Sequence, residues 1–501
     1  MPSGENAALL ATLAGTPASN LKEDANGIFE LNGQKYGFDV ASIPDSVFEY
    51  AEGTKDDYNF TVQEADAEGN LTDKYYKINL KPENFSTSKS ITWTEVPEAQ
   101  KDDKDDDLSD GKVSAVIAVR LPNDQTKYFQ YTYTKPDGRI IYSTRQVNFT
   151  GDVIDADFIG NFLSANYPAG GAIYNTGIRN KINGNFISNY LIGNGIQGGA
   201  IYNIGTIENI TGNFVGNYAA STGNFAYGGA IYNDRATIGS INANFADNYT
   251  SLGHSWGGGI ANSGIISSIA GNFISNHTTS NGGAIFNGSI FDGPDVAINN
   301  VYGDFINNYV ASSSSGDDVA SGGAIFNGSV FGGFSNVKIG SIIGDFIGNH
   351  VSSVIYSSYG GAIFNGTTKF DYTTSNGYAS LGDITGNFIA NYAVSVNDSA
   401  YGGAISNYGY AQYSSLGNIT GSFIKNYAVS DSKSAFGGAI YNGIKDKGSV
   451  ALGYVSGNFL NNYVQTKSIT QLAYGGAVYT EGNMTFAAGE QKTYFMSGNY
   501  T

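Results

Sequence analysis

The chain has 501 residues, 41% hydrophobic and 13% aromatic, enough apolar material for a large core and for roughly two to four domains of ordinary size. Its net charge of −18 leaves only 26 Lys and Arg, which argues against nucleic acid or an anionic membrane surface as a partner, since both require clustered cations. Cysteine is absent, so disulfides, thiol catalysis and thiolate metal sites are excluded together.

A content of 68 Gly, 9 Pro and 36 Tyr against 2 Trp predicts a β-rich, turn-rich chain with few helices. The opening MPSGENAALLATLAG lacks the basic n-region of a signal peptide. No apolar run approaches the roughly 18 residues that span a bilayer, so no membrane insertion by this chain is expected. Either the export signal has been trimmed or export takes another route. The lack of cysteine favours a location outside the cell.

Residues 1–145 hold most of the charge, including KDDKDDDLSD at 101–110. That run lacks the glycine-punctuated spacing of an EF-hand and reads as a solvated acidic loop. Alternation in VSAVIAV (113–119) and YFQYTYT (128–134) predicts strands. Together these predict a small β-rich domain at 1–145 that caps the unit following it, with VNFTGDVIDADF (147–158) as the lead-in. The second domain is residues 146–501.

From Asp157 onward two phrases alternate strictly. One is a glycine pair that in most copies runs into Ala-Ile-aromatic-Asn, beginning at Gly170, Gly198, Gly228, Gly257, Gly282, Gly322, Gly360, Gly402, Gly437 and Gly475; eight of the ten read GGAI, and the others are GGGI at Gly257 and GGAV at Gly475. The other is Phe followed three residues later by Asn, with Phe at 158, 186, 214, 245, 273, 305, 346, 388, 423 and 459. Extra residues fall between the phrases and never within them, as expected for fixed corners joined by tolerant loops. The period predicts an all-β fold, a right-handed parallel β-helix of about ten rungs, stacked about 4.8 Å apart.

Stacking puts like residues above one another. Asn189, Asn217, Asn248, Asn276, Asn308, Asn349, Asn391, Asn426 and Asn462 are predicted to form an amide ladder at one bend. Asn175, Asn203, Asn233, Asn262, Asn287, Asn327, Asn365, Asn407 and Asn442 should form a second. If the Ile of the glycine phrase points inward, alternation sends the next residue outward. That column contains Tyr174, Tyr202, Tyr232, Phe286, Phe326, Phe364 and Tyr441, predicted as a binding stripe. A second aromatic column follows each FxxN: Tyr190, Tyr218, Tyr249, His277, Tyr309, His350, Tyr392, Tyr427 and Tyr463. Rigid rings in register suit protein or glycan binding. Which of Phe and the aliphatic residue after it faces inward stays open.

Tandem GGA[ILV] alternating with FxxN over 157–500 resembles the repeats of chlamydial-type polymorphic outer membrane proteins. The resemblance implies an autotransporter-like passenger β-helix displayed on the bacterial cell surface, acting as an adhesin through the GGAI and FxxN segments. Members of that family continue into a middle domain and a membrane barrel, and the chain is expected to be cut from something longer or capped by another molecule.

Chemistry-bearing residues are sparse. Asp304 and Asp345 replace the Asn before Phe, and Asp317 and Asp318 lie in a Ser-rich loop. His277 and His350 substitute for Tyr in the second column, and His254 lies beside Trp256 in a loop. No metal triad, phosphate loop or GxSxG is present, and neither catalysis nor a cofactor is expected. The leading expectation is a non-catalytic adhesin-like passenger that binds a protein or glycan receptor on another cell. Alternatives are self-association into a structural fibre or surface coat and, third, a polysaccharide-active β-helix enzyme.

Overall fold

The computed structural model describes residues 22–23, 28–31, 34–37, 44–53, 61–65, 71–121, 125–143, 149, 151–289, 293–313, 319–330, 335–368, 378–410, 413–445, 448–481 and 483–484. Asp317, Asp318 and the segment 485–501 lie outside them. The regular structure of the described residues is strand, apart from short 3-10 turns such as Pro82–Asn84 and Leu108–Asp110.

From 141 to 484 the chain winds as a β-solenoid. One sheet has 21 short strands and two have 10 each, with smaller sheets of 3 and 5 beside them. Neighbouring strands are parallel and in register, so that Phe186 pairs with Phe214 and Phe245 with Phe273, and Asn203 pairs with Asn233.

The lumen is filled by three kinds of residue. The Ile and Ala of the glycine phrase are buried there, as in Ala200 and Ile201, together with the aliphatic residues of strands such as Thr206–Val215 and the Phe of FxxN. Consecutive Phe rings from Phe158 to Phe459 stack with centroids 4.6–4.9 Å apart and planes within 5°. That spacing is the distance between paired strands, so backbone pairing sets the stack.

The two glycines of each pair serve different needs. Gly282 has φ +69, a left-handed conformation that penalises a Cβ. A Cβ on Gly283 would lie 2.0 Å from the Gly323 carbonyl oxygen and 2.7 Å from the Tyr309 nitrogen, so packing alone excludes it.

The aliphatic residue after Phe faces away from the lumen and is nevertheless buried. Ile187, Val215, Ile274, Ile306, Ile347 and Ile389 pack against Val47, Phe48, Phe85, Trp93, Ile117, Phe129 and Tyr131 of the N-terminal domain. This domain contributes the antiparallel sheet of Ile91–Val96, Thr126–Thr134, Lys112–Arg120 and Lys104–Asp105, and that of Phe48–Gly53, Leu71–Leu80 and Thr61–Ala65.

The N-terminal domain, among its described residues, covers the side of the solenoid as well as its start. It lies along the flank, because a continuous row of outward aliphatic side chains there needs covering. The first turn is closed by the last described residues of that domain together with Phe149. Tyr142 stacks on Phe158 at 5.5 Å, Phe149 packs edge-on against both, and Arg139 pairs with Asp155 and Asp157.

Candidate binding face

At the corner after each FxxN Phe the chain turns through a left-handed residue, for example Ser188 (φ 51), Asp247 (φ 55), Ser275 (φ 54) and Asn307 (φ 54). The following Asn secures the turn. From Asn189 to Asn426, each Nδ2 donates to the Oδ1 of the next Asn at 2.8–3.0 Å. The same oxygen accepts the preceding Asn's backbone N–H, as in Asn248 to Asn276 at 3.0 Å. The second N–H of each amide reaches back to a Phe carbonyl, as in Asn276 to Phe245 at 2.9 Å. Asn462 is the last of the series among the described residues and donates to the Phe423 carbonyl at 2.7 Å. Asn161 begins it, donating to Asn189 Oδ1 at 2.8 Å, and sequence reasoning had left it out. The FxxN spacing at Phe158 was the available signal.

Next along the strand comes a column of rings. Phe162, Tyr190, Tyr218, Tyr249, His277, Tyr309, His350, Tyr392, Tyr427 and Tyr463 stack one on another, with centroids 4.6–5.4 Å apart. The end rings Phe162 and Tyr463 are exposed, and those between are half-buried. Burial pushes the His277 and His350 imidazoles down to about 4, so both stack as neutral rings at physiological pH. The column is an unbroken, partly solvent-facing aromatic stripe on rigid strands.

The N-terminal domain borders this stripe. The Tyr131 hydroxyl lies 3.2 Å from Ser188 Oγ, and Ser275 Oγ donates to the Ala118 carbonyl at 2.9 Å. The Arg120 guanidinium donates to the Tyr392 hydroxyl at 2.9 Å, with its carbon 5.9 Å from the ring centroid.

The stripe expected from the glycine phrase lies elsewhere. Tyr174 is 40% exposed, but Tyr202, Tyr232, Phe286, Phe326, Phe364 and Tyr441 are buried, at 7% or less. They point out of the lumen, as alternation requires, into a separate apolar cluster with Tyr227, Trp256 and Tyr359. These covering rings immediately precede the glycine pairs, and the recurring aromatic-Gly-Gly was the overlooked signal. The cluster cannot contact a partner without opening. The Asn that follows each of these positions forms a second ladder, with Nδ2 to Oδ1 distances of 2.8 Å from Asn175 to Asn442.

The residues before several of these Phe positions join the solenoid to the domain. Asn272 Nδ2 donates to the Asp45 carbonyl at 2.8 Å, Ser46 Oγ to Asp304 at 2.8 Å, and the Tyr50 hydroxyl to Asp345 at 3.1 Å. Asp304 and Asp345 sit on adjacent turns beside a cavity of about 180 Å³. Burial raises both carboxyls above the usual range, and the neighbouring charge of Asp304 raises Asp345 further. Each carboxylate accepts a bond from one hydroxyl of the domain, Asp304 from Ser46 and Asp345 from Tyr50. A second cleft, of about 470 Å³, is lined by Thr87, Ser90, Arg139, Asp157, Asn183 and Asn185. His254 stacks with Phe225 at 5.6 Å and with Trp256 at 6.0 Å.

Among the described residues no group of three or more acidic or His side chains is arranged to hold a metal, and no helix is long and apolar enough to cross a membrane. No family model matches the chain, and no curated protein or solved structure is significantly similar to it.

Proposed function

We propose that the chain is a non-catalytic, adhesin-like passenger displayed on the bacterial surface or secreted, which binds a protein or glycan along the column from Phe162 to Tyr463. The observation that carries this reading is the uninterrupted stack of half-exposed rings, held in register by the amide ladder next to it. Such rings present large contact area with little conformational entropy to lose. The solenoid is taken as right-handed, because parallel strands joined by crossovers in one sheet are almost always so, with about ten rungs from the repeat count.

The test is binding of the purified chain to host-type cells and to immobilised glycans. Replacing Tyr218, Tyr249 and Tyr309 by Ser, with folding intact by circular dichroism, is expected to abolish binding. Undiminished binding rejects this face.

A further inference from the structure

The cleft of about 470 Å³ near the start of the solenoid lies between the N-terminal domain and the repeat turns, a usual place for a small-ligand site, and its volume falls within the range of about 300–1,000 Å³ for such sites. The domain contributes Thr87, Ser88, Ser90 and Arg139. The solenoid contributes Asn183, Thr211 and Asn242, which occupy one register position on three successive turns. That position becomes Ala270, Tyr302 and Ile343 on the next three turns, so the run of short polar side chains coincides with the cleft. Most of these groups hold one another in place. Thr211 Oγ1 donates to Asn183 Oδ1 at 2.7 Å, Asn183 Nδ2 to Asp155 at 2.8 Å, and the buried Asn185 amide to Ser90 Oγ at 3.1 Å. Asn242 is exposed, and its amide is unbonded among the described residues.

Charge narrows what can enter. Arg139, the one cation lining the cleft among the described residues, pairs with Asp155 and Asp157 and donates to the Asn183 carbonyl at 2.9 Å, which leaves no uncompensated positive charge for an anion. Asp157 is fully buried and already accepts from Arg139, from the Tyr133 hydroxyl at 2.8 Å and from the Asn185 N–H at 2.8 Å, so it has little to offer a cation. Pro136 is the only wholly apolar side chain in the lining, which disfavours an apolar guest. We infer that the cleft binds a short, uncharged oligosaccharide. Neighbouring sugar hydroxyls both donate and accept, which matches the side-by-side oxygen and nitrogen of the Asn242 amide, the open lone pairs of Thr211 Oγ1 and the Ser88 and Ser90 hydroxyls. Polar groups about 4.8 Å apart on three turns extend the contact beyond one sugar unit. A guest there touches domain and solenoid together. The site is independent of the ring column, and the two can fail separately.

The probes are maltotriose, cellotriose and triacetylchitotriose, titrated into the full chain by isothermal titration calorimetry, with trigalacturonate as the acidic counterpart. At least one uncharged trisaccharide is expected to bind saturably with a dissociation constant below about 1 mM, and trigalacturonate at least about tenfold more weakly. Asn242→Ala, at an exposed position, removes two hydrogen bonds to the guest and should weaken binding about tenfold. Thr211→Val should weaken it about threefold. Asn180→Ala, exposed on the same strand as Asn183 but outside the cleft, should bind as the parent does. Absence of saturable binding, equal or tighter binding of trigalacturonate, or unchanged affinity in Asn242→Ala overturns the inference. A trisaccharide lost when Tyr218, Tyr249 and Tyr309 are replaced by Ser but kept by Asn242→Ala belongs to the column and counts equally against the cleft.

Discussion

Replacing Asn276 by Ala tests the physical basis of the solenoid. Asn276 Oδ1 accepts the Asn248 backbone N–H at 3.0 Å and the Asn248 amide at 2.9 Å, while its Nδ2 donates to the Phe245 carbonyl at 2.9 Å and to Asn308 at 3.0 Å. Its own backbone N–H would keep Asn308 Oδ1 at 2.9 Å. Alanine thus leaves two Asn248 donors without acceptors at a fully buried site. At about 1–3 kcal/mol for each buried unsatisfied group, the expected loss is about 4 kcal/mol. The assay is guanidinium unfolding of the full chain with native-state hydrogen exchange across the turns that carry Asn248 and Asn308. Asn180→Ala, at an exposed position, is the control and should stay within about 0.5 kcal/mol. A loss below about 1 kcal/mol at Asn276, with unchanged protection, refutes the claim that the amide ladder stabilises the stack.

Gly283→Ala forces a Cβ to 2.0 Å from the Gly323 carbonyl oxygen and should cost more than about 3 kcal/mol, read as soluble yield and melting temperature. Ile306→Asp puts a carboxylate into the seam between solenoid and N-terminal domain, and limited proteolysis should then cut within 44–143 while the solenoid stays intact. Burial pushes the Asp247 carboxyl up to about 7 from its usual 3.8. The folded state holds that proton more tightly than the unfolded chain, so its stabilising contribution is complete below about pH 4 and is lost as pH rises through 7. Asp247→Asn should therefore flatten the stability profile between pH 4 and 7, measured by urea midpoints, and an unchanged slope would contradict the assignment.

Periodicity made much of the solenoid legible. When Phe and Asn recur together, parallel in-register stacking puts each above its copy, and the Phe pile and amide ladder follow from the spacing between strands. What the pattern lacked was the third dimension outside the lumen. Alternation correctly turns Tyr232 and Phe286 away from the interior, but outward is not the same as exposed when Tyr227 and Trp256 lie across them. Ile274 and Ile306 posed the same problem, since the antiparallel sheet that covers them comes from residues far away in the chain. Contacts at such long separation leave no local period to read. The ring column after FxxN stays half-open because the N-terminal domain lies beside it, touching it at points such as Arg120 and Tyr392.

The two amide series run the same way. At every step the N–H points toward the later turn and the C=O toward the earlier one. Their bond dipoles add instead of cancelling, and each polarises the next. The shaft is therefore electrically directional, like a bar magnet with unlike poles. At its start, Asn161 Oδ1 has no partner among the described residues. The two ends of the shaft therefore carry unlike partial charges, whatever approaches them.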